Sequence, residues 1–215
     1  MTAQTYPMAA AAFASLLKIK SVTFLPSYGQ EYSGQATGVI LAKDLRPRLW
    51  NISLTTVPMN QDDANDFLGR VEALDGSTNT FLMYNPKRAY PRAGLSTDAG
   101  VTIASLNADG KQLSLTGLPV GATLQWGDML GFQYGSPNTY GLYRIVGDPV
   151  VADSTGTTPD FELAGGIRPG AATGLAVSLI KPLGEFRVNA NSLKELNQTD
   201  PLYNSYSFTA IQVLY

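Results

Sequence analysis

Apolar and polar positions alternate along most of the chain, which is the pattern of half-buried strands. In Lys18–Pro26, Ile19, Val22 and Phe24 are β-formers and Pro26 closes the run, so a strand is expected there. Gly29 and Gly34 mark a turn region, followed by strand candidates at Ala36–Leu41 and Arg48–Val57. In the second of these, Trp50, Ile52, Leu54 and Thr56 fall on one side, and that side is the better core face.

The period changes over residues 61–74. Ala64, Phe67, Leu68, Val71 and Leu74 form one apolar stripe at helical spacing. Asn60 is placed to cap the helix, Asp62 and Asp63 suit its positive end, and Gly76 stops it. Thr80–Tyr84 then reads as a strand ended by Asn85-Pro86, and the stretch KRAYPRAG after it reads as a linker.

From Gly100 to Ile180, short β-runs alternate with Gly and Pro turns, and Asp109-Gly110 before KQLSL signals a hairpin. Such spacing predicts a small barrel or sandwich. Longer strands return at Gly184–Val188 and Ser205–Leu214. The simplest topology is an insertion. Residues 1–94 and 183–215 would build a β-sheet domain with the helix 61–74, and residues 95–182 would form a β-barrel inserted into it. The fold class expected is therefore mainly β with one α-helix.

Composition narrows the function. Charged residues are only 15% of the 215 and hydrophobic ones 44%, so the chain should fold and leave a surface that suits partner contacts. The formal net charge of -2 argues against a strongly basic nucleic-acid binder, although it suits a lumen that DNA only passes through. There is no Cys and no His. Disulfides, thiolate and imidazole metal sites, a Cys nucleophile and a Ser-His-Asp triad are thereby excluded. The run Met8–Leu17 is Ala-rich, far shorter than a membrane span and preceded by no basic stretch. A short helix or a docked segment is expected there rather than a signal peptide.

Four groups of residues bear on chemistry. Asp148, Asp153 and Asp160 lie among Ser, Thr and Gly residues whose oxygens suit Ca²⁺, yet the spacing is not that of an EF-hand and these are ordinary turn residues. A solvated loop is the reading adopted. Asp62, Asp63, Asp66 and Glu72 sit on the polar side of the expected helix, and carboxylates on one solvent face do not oppose each other across a cleft as a glycosidase requires, so a charged solvent face is the reading adopted. Arg46 and Arg48, and then Lys87, Arg88 and Arg92, suit a groove or channel, pairing with acidic groups on a neighbouring subunit, or isolated surface charge. The aromatics Trp126, Phe132, Tyr134, Tyr140 and Tyr143 suit a sugar if exposed on a barrel, and suit subunit contacts or core packing equally well; core is the reading adopted. No glycine-rich loop stands between a strand and a helix, so nucleotide binding has no support. No catalytic, cofactor-binding or metal-ligating residue is assigned, no cofactor is expected, and the chain is read as a non-enzyme.

The segments RLWNISLTTVP, NQDDANDFLGRVEALDG and TFLMYNPKRAYPRAG, and then LQWGDMLGF, GLYRIV, GGIRPG and AVSLIKPLGEFRV, run in an order that resembles the distal tail proteins of long-tailed bacteriophages and of gene-transfer agents. The resemblance covers nearly the whole chain from about Lys18. It implies a tail-tube-like β-sandwich with a helix that forms a hexameric ring, and an inserted barrel that projects outward. It further implies a virion component assembled in the host cytoplasm, without membrane insertion. Its partners would be other copies of itself, the tail tube protein and the baseplate hub, with DNA only in passage. Three other readings compete. One is a tail tube, terminator or neck protein, another a carbohydrate-binding module aiding host attachment, and the last a small tail-tip glycosidase or peptidase.

Overall fold

The computed structural model describes residues 4–34, 38–196 and 203–215. It is mainly β, with one α-helix among the described residues. The elements are β1 (Ile19–Gly34), β2 (Ile40–Thr56), α1 (Gln61–Glu72), β3 (Phe81–Met83), β4 (Thr102–Leu106), β5 (Gln112–Thr116), β6 (Thr123–Leu124) and β7 (Met129–Tyr134). There follow β8 (Thr139–Val146), β9 (Val150–Val151), β10 (Phe161–Leu163), β11 (Val177–Ser178), β12 (Gly184–Val188), β13 (Lys194–Leu196) and β14 (Ser205–Gln212). No helix of the described residues is long and apolar enough to cross a membrane.

The chain folds as two compact units, residues 17–78 with 187–213, and residues 1–16 with 79–186 and 214–215. The sequence pattern sets the boundaries elsewhere, at 94/95 and 182/183. In the folded chain the helix stays with the long strands, while the first sixteen residues, Thr80–Tyr84 and the KRAYPRAG stretch go with the barrel strands.

The first unit is a sheet covered by α1. Strand β2 pairs antiparallel with β1 on one side and with β14 on the other, and β13 pairs with β14. Its core is the face expected from the alternation: Trp50, Ile52, Leu54 and Thr56 are all buried, with Val22 and Phe24 beside them. The Phe24 and Trp50 rings lie 5.2 Å apart. Helix α1 buries Ala64, Phe67 and Val71, and Phe67 stacks on Tyr206 at 5.2 Å. Asn60 caps it, its Oδ1 accepting from the Asp63 N–H at 2.9 Å. The helix ends at Glu72, two residues before the end of the apolar stripe; Leu74 is buried in the turn that follows, ahead of Gly76 at φ +62°.

Two prolines behave unlike the expectation. Pro26 does not end β1, which continues to Gly34. It sits on an edge strand, where a missing N–H need cost no ladder bond. Likewise Ile40–Thr56 is one strand where two were expected, with Pro47 inside it. Pro47 falls at a register shift, between the pairs Ser27–Leu49 and Gly29–Arg46, and a bulge tolerates a residue without a donor. Part of the expected Ala36–Leu41 strand, residues 36 and 37, lies outside the described residues.

The second unit is built on a six-stranded sheet in the order β11-β7-β8-β10-β5-β4. The sheet curls until its ends meet. Thr102 in β4 bridges Ala176, the Ile103 N–H donates to the Leu175 carbonyl at 3.0 Å, and the Val177 N–H donates to the Val101 carbonyl at 2.9 Å. Inside lie Val101, Ile103, Leu113, Leu115, Leu130, Phe132, Tyr143 and Ile145, among others. The β4–β5 hairpin turns at Asp109-Gly110 as its residues predict, with Gly110 at φ +67° and Asp109 Oδ1 accepting from the Lys111 N–H at 2.9 Å. The stretch Met8–Leu17 is docked and also carries a short 3₁₀ helix at Ala14–Leu16: Met8 bridges Phe81, and Phe13 packs on the Phe81 ring at 4.6 Å.

Candidate functional site

The feature that the fold leaves uncovered is the distal half of the β1–β2 hairpin. Near its base the ladder has one buried face. From Ser27 to Gly34 in β1, and from Ile40 to Arg48 in β2, no side chain is buried. Eight residues of strand at about 3.3 Å each make a ribbon of roughly 25 Å. A two-stranded ribbon of this kind is at best marginal in water without something to pack on.

The arm's surface is apolar where solvated ribbons are usually polar. Tyr28, Tyr32, Val39, Ile40, Leu41 and Leu45 are all large and exposed, Ile40 at 70%. Register places Ile40 and Gly34 on one face with Tyr32 and Ala42, and Leu41 and Ser33 on the other with Glu31 and Lys43. Both faces therefore carry apolar groups, and neither is a core face. Among the described residues both backbone edges of the arm are also open. Strand β1 is an edge strand, and β14 pairs with β2 only from Asn51 to Thr55. Open edges with exposed apolar side chains are a template for pairing with another chain.

Local bonds keep the arm in shape. Tyr32 Oη donates to Gln30 Oε1 at 2.8 Å, and Gln30 Nε2 donates to Asp44 Oδ1 at 2.7 Å, a polar ladder along one face. At the bulge, Arg46 lies where a side chain on residue 29 would stand, so a larger residue there would displace the exposed Arg46 side chain, whose Nη2 donates to Ser27 Oγ at 2.9 Å. Arg48 packs its guanidinium 4.9 Å from the centre of the Trp50 ring. These two arginines thus brace the junction of arm and base.

The other residues singled out by sequence are committed elsewhere. Arg92 takes up Asp128: its N–H donates to Asp128 Oδ1 at 2.8 Å, and its Nη2 donates to the Trp126 carbonyl at 2.9 Å. Lys87 and Arg88 lie in a short 3₁₀ turn capped by Asn85, so this part of the expected linker is folded. Asp63 pairs with Lys18 at 2.6 Å on the surface. Asp153 Oδ1 accepts from Thr155 N and Oγ1 and from Thr157 N, which holds its carboxyl below the ordinary aspartate range. Asp160 accepts from Ser105 Oγ at 2.6 Å. Among the described residues no three acidic side chains gather as metal ligands.

Of the aromatics, Phe132, Tyr134 and Tyr143 are in the barrel core, Tyr140 is half-buried, and Trp126 is exposed, against the core reading for that residue. Burial raises the Tyr134 and Tyr143 phenols above their ordinary range.

Two buried carboxylates escape a reading of the sequence. Asp128, fully buried, accepts the N–H of Gln125 at 2.8 Å in addition to that of Arg92. Glu185 accepts from Thr80 Oγ1 at 2.6 Å and from Tyr215 Oη at 3.0 Å. Each is satisfied by fixed donors, which is the arrangement of a structural carboxylate. The Gly-Asp pair before β7 was a visible turn signal for the first. Nothing local marks the second.

A comparison with protein-family models finds none that matches this chain, and a comparison with curated proteins finds no match.

Proposed function

We propose that this chain is a structural subunit of a closed homo-oligomer, a ring at the distal end of a bacteriophage tail. In this reading it joins the tail tube to the baseplate hub and surrounds the channel through which DNA passes. The observation that carries the assembly part is the β1–β2 arm, with its exposed apolar side chains on both faces and its two open edges. A second copy that lays strand edge or apolar side chains against the arm removes both liabilities at once. A ring repeats that contact at every subunit, so no arm is left bare. Conformity with the distal tail family rests on the order of sequence segments from Arg48 to Val188. The protein works in this reading by shape and contact alone, without a reaction, inside the virion.

The position in the particle is tested by imaging tail particles that carry a tagged copy of this chain. Label confined to the distal tip is the expected result. Label along the tube, at the neck, or absent from the tail assigns the chain to another part and overturns the distal position.

A further inference from the structure

The barrel unit carries an open cavity of about 700 Å³ on the outer face of β7, β8 and β11. Leu130, Phe132 and Tyr134 point into the core, so Gln133 faces outward, with Tyr140 opposite it on β8. The segment 180–183 folds back over this face. A Cβ on residue 131 would stand 3.2 Å from Pro182 Cβ and 3.3 Å from the Leu183 carbonyl oxygen. Two residues of opposite charge line the cavity, Asp98 and Lys181.

The fold places both charges and pairs neither. Asp98 Oδ2 accepts from the N–H groups of Leu179 and Ile180 at 2.8 and 2.9 Å, while Oδ1 takes no hydrogen bond among the described residues. Lys181 is held at φ +49° directly before Pro182, and its N–H donates to the Ala89 carbonyl at 2.6 Å. Left-handed backbone is costly for most residues other than glycine or asparagine, and a following proline favours extended backbone instead. The chain therefore keeps a lysine where the local conformation resists one. The Lys181 ammonium lies 5.5 Å from the centre of the Tyr84 ring and makes no ion pair among the described residues, with Asp98 or with any other carboxylate. The side chains of Gln133 and Asn138, also at the cavity, make no hydrogen bond among the described residues.

The two charges specify the ligand. An anion alone answers Lys181 and meets the Asp98 carboxylate, and a cation alone has the converse fault. A neutral ligand takes water from both charges and supplies no counter-charge. A zwitterion answers both. The amides of Gln133 and Asn138 each donate and accept, as a peptide group does, so they match a chain of peptide bonds. Leu175 and Val177 offer an apolar wall for its side chains, beside the half-buried Tyr140. The volume is within the usual range for small-molecule sites and larger than one free amino acid fills. We propose that this cavity binds a short peptide with both ends free, its ammonium on Asp98 Oδ1, its carboxylate on Lys181 and its peptide groups on Gln133 and Asn138.

The site goes beyond the ring reading, since a ring subunit requires no such cavity, and the two are tested by different measurements. Free-ended dipeptides and tripeptides with a leucine, valine or phenylalanine among alanines are titrated calorimetrically into the full-length protein. The tightest is titrated again with its amino end acetylated and with its carboxyl end amidated. The expected result is a bound peptide whose affinity falls about tenfold or more with either block, the effect of one lost charge-assisted hydrogen bond. In Lys181→Met the free peptide binds about tenfold more weakly and amidation costs nothing further, while acetylation costs what it costs wild type. Gln133→Ala, at an exposed and unbonded side chain, keeps the wild-type melting temperature and weakens the free peptide about fivefold. No peptide bound by wild type, blocked forms that bind as well as the free one, or amidation that costs Lys181→Met as much as wild type overturns the proposal. The oligomeric mass is the same in all three proteins whichever way the titration falls.

Discussion

Strands β1 and β2 form one continuous antiparallel ladder, yet its two halves do opposite things. At the base, Trp50 is 1% exposed and Ile52 and Leu54 are closed off with it. Ten residues earlier, on the same strand, Ile40 is 70% exposed. The β1–β2 pairing runs through both halves, while β14 joins β2 only at the base, so the shared ladder alone does not explain why the chain keeps both. The base stabilises the fold by removing apolar surface from water. The arm has equally apolar side chains and removes little from water in the single chain, and in the proposed ring a second copy supplies that burial. Apolar residues at strand period thus carry two meanings, core and contact, and only the layer above the sheet distinguishes them.

The sharpest way to break this comparison is to substitute along β2. Trp50→Ala should cost about 3–5 kcal/mol in denaturant unfolding, since it empties a core site. Leu41→Ala, on the arm, should stay within about 0.5 kcal/mol for the isolated chain. If the two cost the same, the arm is part of the core and the comparison fails. Next in size is Asp128→Ala, which strands the N–H groups of Arg92 and Gln125. A loss of about 2–4 kcal/mol is expected, with no change in oligomeric mass under native conditions. That result separates folding from assembly in a residue far from the arm in sequence. Asn60→Ala removes the α1 cap and should cost about 1 kcal/mol by the same unfolding assay, again without effect on assembly. The smallest effect is at the exposed Asp153. Its carboxyl is held below the ordinary range chiefly by the Thr155 hydroxyl, with the Thr157 and Thr155 N–H groups helping. The loop bonds are present above the ordinary aspartate range and are lost as pH falls through the lowered value. Amide exchange at Thr155 and Thr157 should quicken only at that acidic end, and Asp153→Asn should remove the pH dependence.

Much of the fold was legible because local chemistry dictated it. The stripe Ala64–Leu74, the Asn60 cap and the Asp109-Gly110 turn each specify geometry within a few residues, and each appears where the pattern placed it. The Trp50 face was readable for the same reason: alternation names the core side of a strand. What misled was Pro26 and Pro47. A proline excludes a central ladder position, but the sequence does not say that β1 is an edge or that a bulge sits at Pro47, so a long hairpin read as three short pieces. The arm was hidden with it, because its apolar residues look like core in one dimension. Glu185 was invisible for a different reason: its partners, Thr80 and Tyr215, are distant in the chain and only the fold brings them together.

The central claim is that the arm exists for other copies of this chain. Light scattering after size-exclusion chromatography, on wild type and on a variant with Ile40→Ser, Leu41→Ser and Leu45→Ser, tests it most directly. Wild type should be a closed assembly of identical copies, and the variant a folded monomer with the wild-type far-UV circular dichroism but without the added stability that assembly gives. A wild-type monomer at high concentration, or an assembly of undiminished mass in the variant, would contradict it.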